Sequence, residues 1–244
     1  MHLRVLTYNI HRAIGLDRRF RPERIIGVLR HYQADIVLLQ EVDEGAPRSR
    51  ELDLAKELAL AADYPHYAVG HNVSLRKGRY GNATLSRFPI LRERNIDLTI
   101  GNKKRRGCQH TSINIDDSQQ IEVFNLHLGL SAQERKQQLE LLVRSREFEA
   151  THLSHASIVG GDFNDWRSQL VPLLTRHQGL TCATNYSGRR NGPIRTYPSF
   201  SPTGGLDKIF FHGKLKPMHS FGCRLGISKI ASDHIPVIAD FRMH

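Results

Sequence analysis

Six strand-like runs in this chain each carry an acid, an amide or an imidazole at one end, and no regular strand–helix–strand alternation links them. Leu3-Arg4-Val5-Leu6-Thr7-Tyr8-Asn9 alternates and stops on an amide. Asp35-Ile36-Val37-Leu38-Leu39-Gln40 is apolar and too short for a helix, and reads as a buried strand ending at Glu41. Residues 121–127 alternate up to His127, and residues 156–160 read as a short buried strand ahead of Gly161-Asp162-Phe163-Asn164. Asp207 precedes Ile209-Phe210-Phe211, and Asp233-His234 precedes a last strand at residues 235–239. Strands mixed irregularly with helices point to a layered α/β sandwich with mixed sheets rather than a barrel or a Rossmann sheet.

The helices are legible by their starts. Arg21-Pro22-Glu23 places proline in a first turn, followed by an apolar stripe of Ile25, Val28 and Leu29. Residues 51–62 give a second helix with Leu54, Leu58 and Ala62 on one face. Ser131-Ala132-Gln133-Glu134 is a capping box, opening a helix to about residue 150 with Leu139, Leu142 and Val143 inward. Asn82-Ala83-Thr84-Leu85-Ser86 predicts a strand, broken by Phe88-Pro89-Ile90. With 244 residues, no Ser/Gly/Pro-rich linker and no internal repeat, residues 1–244 are expected to form a single domain. No basic-then-apolar leader and no membrane-length apolar run is seen, and Cys108, Cys182 and Cys223 share no metal-type spacing. A cytoplasmic protein with reduced thiols is the expectation.

Charge narrows the partners. The net charge is +11, concentrated in two blocks. Arg4 to Arg30 holds seven arginines against two acids, and Arg76 to Arg106 holds ten Lys or Arg against two, ending in Lys103-Lys104-Arg105-Arg106. Such blocks suit an anionic partner: nucleic acid first, membrane phospholipid or a phosphorylated small molecule otherwise. No obligate protein partner is evident.

The polar strand ends make one chemical set. Along an extended chain Asp162 and Asn164 point the same way, so a carboxylate and an amide can face one point in a cleft. Alone, an Asp and an Asn after a strand mark a turn; several such ends agreeing mark a site. Glu41 and Asp233, with Asn9, are oxygen donors of the kind that suits Mg²⁺ or Mn²⁺. Asp207 and His234 can pair, which favours a charged imidazole able to stabilise a phosphorane-like transition state. His127 can donate to a phosphoryl oxygen, leaving Asp162 as general base for water.

At these residues the chain resembles the endonuclease/exonuclease/phosphatase superfamily, with the deoxyribonuclease I-like fold. The matching segments are Thr7-Tyr8-Asn9-Ile10, Leu39-Gln40-Glu41-Val42-Asp43, Gly81-Asn82-Ala83, Asn125-Leu126-His127-Leu128, Gly161-Asp162-Phe163-Asn164, Leu206-Asp207-Lys208-Ile209 and Ser232-Asp233-His234-Ile235-Pro236-Val237, in family order over residues 3–241. The resemblance implies a four-layer α/β sandwich, two mixed sheets face to face with helices outside, a divalent metal (usually Mg²⁺), and single-step attack of water on a phosphoester. It implies Glu41 as the main metal ligand with Asn9 in support, and Asp233 as a ligand or a partner behind the ligands. By the same resemblance Asp162 activates water, Asn164 holds a phosphate oxygen, His127 and His234 contact phosphate, Asp207 orients His234, and Asn82 helps position the site.

Abasic-site endonucleases of the superfamily carry Gly after the first Asn motif and Lys soon after Gln-Glu. Here Ile10-His11-Arg12 and Val42-Asp43 stand instead, which turns the reading away from abasic-site repair. The chain looks like a compact bacterial branch, with Arg12, Arg48 and Arg50 as candidate substrate contacts. The expected activity is phosphodiester hydrolysis of the nuclease type, with a phospholipid or phosphoinositide-type headgroup as the alternative substrate. The alternative of another class is a catalytically silent nucleic-acid-binding module on the same scaffold. Loops 71–80, 101–107 and 185–205 are expected to shape substrate access.

Overall fold

The computed structural model describes residues 1–116, 118–151, 156–185 and 192–243; residues 186–191 of the expected access loop lie outside these. Among the described residues, twelve strands form two six-stranded sheets. The first contains β1 (His2–Asn9), β2 (Ile36–Glu44), β3 (His66–Ser74), β4 (Arg79–Ser86), β11 (Leu215–Gly222) and β12 (Val237–Met243), in the order β11-β12-β1-β2-β4-β3. The second contains β5 (Ile90–Asp97), β6 (Gly107–Asp116), β7 (Gln119–His127), β8 (Ala156–Asp162), β9 (Thr181–Cys182) and β10 (Asp207–His212), in the order β5-β6-β7-β8-β10-β9. Each sheet has one parallel pair, β1–β2 and β7–β8, and antiparallel neighbours elsewhere. Helix α1 (Pro22–Tyr32) bridges the first parallel pair and α2 (Leu54–Ala61) follows β2. Helices α3 (Ala132–Val143) and α4 (Arg146–Thr151) bridge the second pair, and α5 (Ser228–Ala231) precedes β12. No helix among the described residues is long and apolar enough to cross a membrane.

Three apolar layers hold these parts together. Ile25, Leu29 and Leu58 of α1 and α2 pack on Leu6, Val37 and Leu39 of the first sheet. Leu139, Leu142 and Phe148 of α3 and α4 pack on Phe124 and Leu126 of the second. Between the sheets lie Leu3, Val5, Leu38, Val123, Ile158 and Ile209. Helix, sheet, sheet and helix make the four layers expected.

Local chemistry sets the element ends. Pro22 occupies the first turn of α1, where its missing N–H costs nothing. Helix α2 starts later than residue 51 because Arg50 and Glu51 are left-handed, at φ 57° and 58°, and Asp53 then caps it by accepting the Lys56 N–H at 3.1 Å. Ser131 caps α3 through the Glu134 N–H at 3.2 Å. The single helix expected to residue 150 is two, broken at Ser145, whose hydroxyl donates to Leu142 O at 2.7 Å and accepts the Phe148 N–H at 3.3 Å. Strand β5 has no apolar alternation to betray it, since it is an exposed edge strand rich in Arg and Glu, a charge pattern that discourages edge-to-edge pairing.

Strand parity places the site. On β1, Leu3 and Val5 face the other sheet, and Thr7 and Asn9 continue that row. On β7, Ile121 and Val123 lead to Asn125 and His127; on β8, Ala156 and Ile158 lead to Gly160 and Asp162; on β10, Ile209 and Phe211 share their face with Asp207. The layer between the sheets is therefore apolar at one end and polar at the other, and the polar end is the mouth of the sandwich. Asn125 stitches the sheets there. Its amide donates to Leu39 O (3.1 Å) and Ala83 O (2.9 Å), and its oxygen accepts from Gln40 Nε2 at 2.8 Å. Replacing a buried, fully bonded amide by an isosteric aliphatic leaves several groups unpaired. Asn125→Leu is thus expected to lower the unfolding free energy by about 3 kcal/mol in urea denaturation, and a loss well under about 1 kcal/mol would show that the network carries no cohesion.

Candidate active site

Three donors converge on one oxygen of Asp162. Asn9 Nδ2 donates to Oδ2 at 3.1 Å, while His127 Nε2 and His234 Nε2 stand 3.4 and 3.7 Å from the same atom. The two imidazole distances exceed a normal hydrogen bond, so both rings can turn to an arriving oxygen. The other oxygen, Oδ1, accepts the Asn164 N–H at 2.9 Å. Burial pushes the Asp162 carboxyl up to about 6, against the pull of the His234 charge. It is then ionised at neutral pH yet basic enough to take a proton from water.

His234 is the opposite case. Burial alone would lower its pKa, but the Asp207 and Asp162 carboxylates reverse this and hold the imidazolium to about 10. Its Nδ1 sits 2.8 Å from Asp207 Oδ2. His127 is held neutral: burial, then the charges of Arg106 and His234, push it well below the ordinary imidazole value. The Tyr197 ring packs on His234 at 5.0 Å, and Trp166, half exposed, meets Tyr197 edge-on at 5.3 Å. Trp166 lies against Gly204, where a Cβ would come within 2.7 Å of the indole.

Glu41 reaches the mouth by a bulge. Strand β2 does not end there, as the apolar run suggested, but continues to Glu44 with a register shift between Leu39 and Val42. Glu41 takes φ 58°, a left-handed value that a side chain rarely adopts. The extra residue returns Val42 to the helix-facing layer and turns Glu41 out of the strand row. Three further left-handed residues, His11, Arg12 and Ala13, bring Arg12 Nε to 3.6 Å from Glu41 Oε2. Asn9 Oδ1 holds that turn by accepting the His11 N–H at 3.1 Å.

A family model described as Endonuclease/Exonuclease/phosphatase family matches residues 6–234. The chain belongs to that family. The uncharacterized protein YbhP of Escherichia coli strain K12 is 31% identical over 250 residues, 98% of this chain and 96% of YbhP. Among solved structures, the mannosyl-6-phosphatase Bt3783 of Bacteroides thetaiotaomicron superposes with a TM-score of 0.76 at 20% identity, covering 99% of this chain and 100% of that one. D. rerio TDP2 complexed with single strand DNA product superposes with a TM-score of 0.75 at 17% identity, covering 99% of each chain. These likenesses show the deoxyribonuclease I-like fold.

Endonuclease/exonuclease/phosphatase proteins hydrolyse phosphoester bonds and commonly use divalent metals, so the donor set must be tested for one. Asp162, Asp207 and His234 offer ligand atoms within 4.8 Å of one another. They are paired with each other, however: His234 Nδ1 lies 2.8 Å from Asp207 Oδ2 and its Nε2 3.7 Å from Asp162 Oδ2. Glu41 fits better. Its Oε2 is sealed from solvent with no hydrogen-bond partner, and Arg12 Nε, equally unpartnered, is too far to satisfy it. A carboxylate oxygen with no hydrogen bond and one cation at 3.6 Å is a hard oxygen donor of the kind that would hold a divalent metal.

The structure departs from several family expectations. The chain turns after Asp162, so Asn164, at φ 50°, does not run parallel to it; its amide donates to Leu128 O at 2.9 Å. Asn9 spends both ends of its amide on Asp162 and on His11, which makes it an orienting group at this site. Asp233 does not join the Asp162 cluster; its carboxylate accepts the Ser232 hydroxyl at 3.3 Å. Arg48 pairs bidentately with buried Asp43, both bonds 2.8 Å, and Arg50 lies over the Phe20 ring at 5.7 Å, so of the three arginines only Arg12 meets a site carboxylate. Asn82 donates to Gly107 O (3.2 Å) and Asn125 O (3.0 Å), tying β4 to the second sheet. Asn125 and Gln40 carry no role in the sequence reading, although their place in the inward row of each strand marks them. Lys208, fully buried, is also new: its ammonium donates to Asp165 O (3.1 Å) and Gly205 O, tying the loop after Asp162 to the one before Asp207.

Proposed function

We propose that the chain is a divalent-metal-dependent phosphohydrolase that cleaves a phosphodiester by direct attack of water, with nucleic acid as its first substrate. The carrying observation is the convergence of Asn9, His127 and His234 on Asp162. A water oxygen bonds to phosphorus, its proton passes to Asp162, and the bond from phosphorus to the leaving oxygen breaks. The His234 imidazolium, held by Asp207, and neutral His127 turn to the non-bridging oxygens, where charge builds in the transition state. Mg²⁺, with Mn²⁺ as a substitute, would be held by Glu41 and would supply Lewis-acid stabilisation of phosphoryl charge.

Two features favour a nucleic acid. Lys104 lies over the Tyr80 ring at 5.4 Å, giving a cationic flank. Trp166 offers an exposed indole face braced by Tyr197, and any base can stack on such a face. The single-strand DNA product of TDP2 and the sugar phosphate named for Bt3783 illustrate two substrate sizes on one fold.

A substrate panel tests the reading: plasmid, single-stranded DNA, abasic duplex, phosphatidic acid, cardiolipin, sphingomyelin, inositol phosphates and a sugar phosphate, each with Mg²⁺ and with chelator. Cleavage of nucleic acid is expected only with metal, falling by about tenfold or more between roughly 50 and 200 mM salt as phosphate contacts are lost. Hydrolysis confined to bilayers or micelles would move the assignment to a lipid headgroup. Binding of DNA with no turnover of any substrate would leave a silent binding module.

A further inference from the structure

Four exposed apolar side chains gather on one flank of the mouth. Leu16, Phe200, Ile227 and Ile230 are between 42% and 64% exposed. Apolar groups of this size normally face water singly, and a cluster of them marks a surface that something covers. The Ile230 N–H donates to Ile227 O at 3.1 Å, one turn back, so both isoleucines sit on one side of α5. The Leu16 N–H donates to Ile230 O at 3.0 Å. Gly15 lets the chain come so close, since a Cβ there would stand 2.5 Å from the same oxygen. Phe200 follows Ser199, whose hydroxyl shares its hydrogen bond between Lys229 O at 3.0 Å and Ser232 O at 2.7 Å. Ser232 in turn donates to Asn9 O at 2.7 Å and accepts the His234 N–H at 3.2 Å. Three segments from distant parts of the chain are thus fastened into one platform, anchored to the end of β1 on the His234 side of the mouth.

The platform is also basic. Arg18 and Arg19 share the turn with Leu16, Lys229 lies between the two isoleucines in sequence, and Arg224 precedes them. All four are exposed, and among the described residues none forms an ion pair. The neighbouring Asp17 is taken by Arg24 through bonds of 3.0 and 2.6 Å. Apolar groups beside unpaired cations match the boundary of an anionic bilayer, where the former enter the acyl edge and the latter stay among the headgroups. Other occupants fit less well. Nucleic acid rewards flat π faces, and three of the four side chains are aliphatic. A second copy meeting the same patch about a twofold axis would set like charges against each other.

We propose that this platform docks the chain on an anionic phospholipid bilayer, with Leu16, Phe200, Ile227 and Ile230 entering the interface. Docking of this kind does not depend on which ester the site cleaves.

The test is sedimentation of the full chain with vesicles of phosphatidylglycerol and phosphatidylcholine in roughly equal parts, against vesicles of phosphatidylcholine alone. Binding is expected to the anionic vesicles only, weakening as salt is raised. Ile230→Asp is expected to lower vesicle affinity at least about tenfold, through lost apolar area and repulsion from the headgroups. Leu141→Asp, the same charge change at an exposed residue of α3 on the helix layer of the other sheet, is expected to bind as the parent does. If Ile230→Asp does not fold, Phe200→Ser adds no charge and is expected to bind about fivefold more weakly or worse. No binding of the parent to anionic vesicles, or parental affinity in the folded variants, overturns the inference. Loss of oligonucleotide binding in Ile230→Asp with vesicle binding intact also overturns it, and gives the platform to nucleic acid. A concentration-dependent dimer that Ile230→Asp abolishes with vesicle binding unchanged overturns it too, and gives the platform to a second copy.

Discussion

Asp162→Asn is expected to lower turnover by about 10³-fold at saturating metal while the protein stays folded, because the amide keeps the shape of the group and loses its basicity. The pH profile separates this role from a merely electrostatic one. A base must be deprotonated, so kcat/KM should rise with pH through about 6, where burial has placed the Asp162 carboxyl. The charged partner must stay protonated, so the plateau should fall as pH approaches about 10, where His234 gives up its proton. In Asp162→Asn the residual activity should lose the acid limb and keep the alkaline one. His234→Gln should cost a similar factor and lose the alkaline limb. Near-parental rates in both variants would dismantle the assignment of roles.

Glu41→Gln is expected to weaken the metal more than the about 10–100-fold that loss of a metal's outer partner costs. Activity should return in part as the metal concentration is raised. Calorimetric titration with Mg²⁺ or Mn²⁺ reads this without turnover. If metal affinity is untouched in Glu41→Gln and falls in Asp207→Asn, the ion belongs with Asp162, Asp207 and His234, and the reading of Glu41 as its carboxylate is wrong.

Much of this site was written in strand parity. Asn9, His127, Asp162 and Asp207 each continue a row of inward apolar residues, and period-two alternation is visible without coordinates. The Asp207–His234 pair follows from chemistry alone. Other features had no sequence signal strong enough. The bulge at Glu41 depends on a left-handed backbone at a glutamate, which no propensity suggests, so the strand was expected to stop at that residue. Arg48 looked as good a substrate contact as Arg12 until buried Asp43 was seen to occupy it. Arg106 stood within a basic run that reads as solvated surface, and only burial distinguishes it from exposed Arg105. The break at Ser145 was hidden because a serine hydroxyl can close one helix and open the next in a stretch that remains helical in composition.

The bulge has a consequence for how such a chain can change over time. A left-handed glutamate costs on the order of 1–3 kcal/mol that a glycine at the same position would not. With Glu41 in its proposed role as the metal's carboxylate, stability and hydrolysis pull in opposite directions at that one residue. A descendant that no longer needs a metal gains by drifting there first, toward Gly or Asn, with the rest of the sandwich intact. Position 41 thus serves as a marker: in related chains, loss of the carboxylate in favour of a residue at ease with positive φ would distinguish a retired scaffold from a working one before any assay is run.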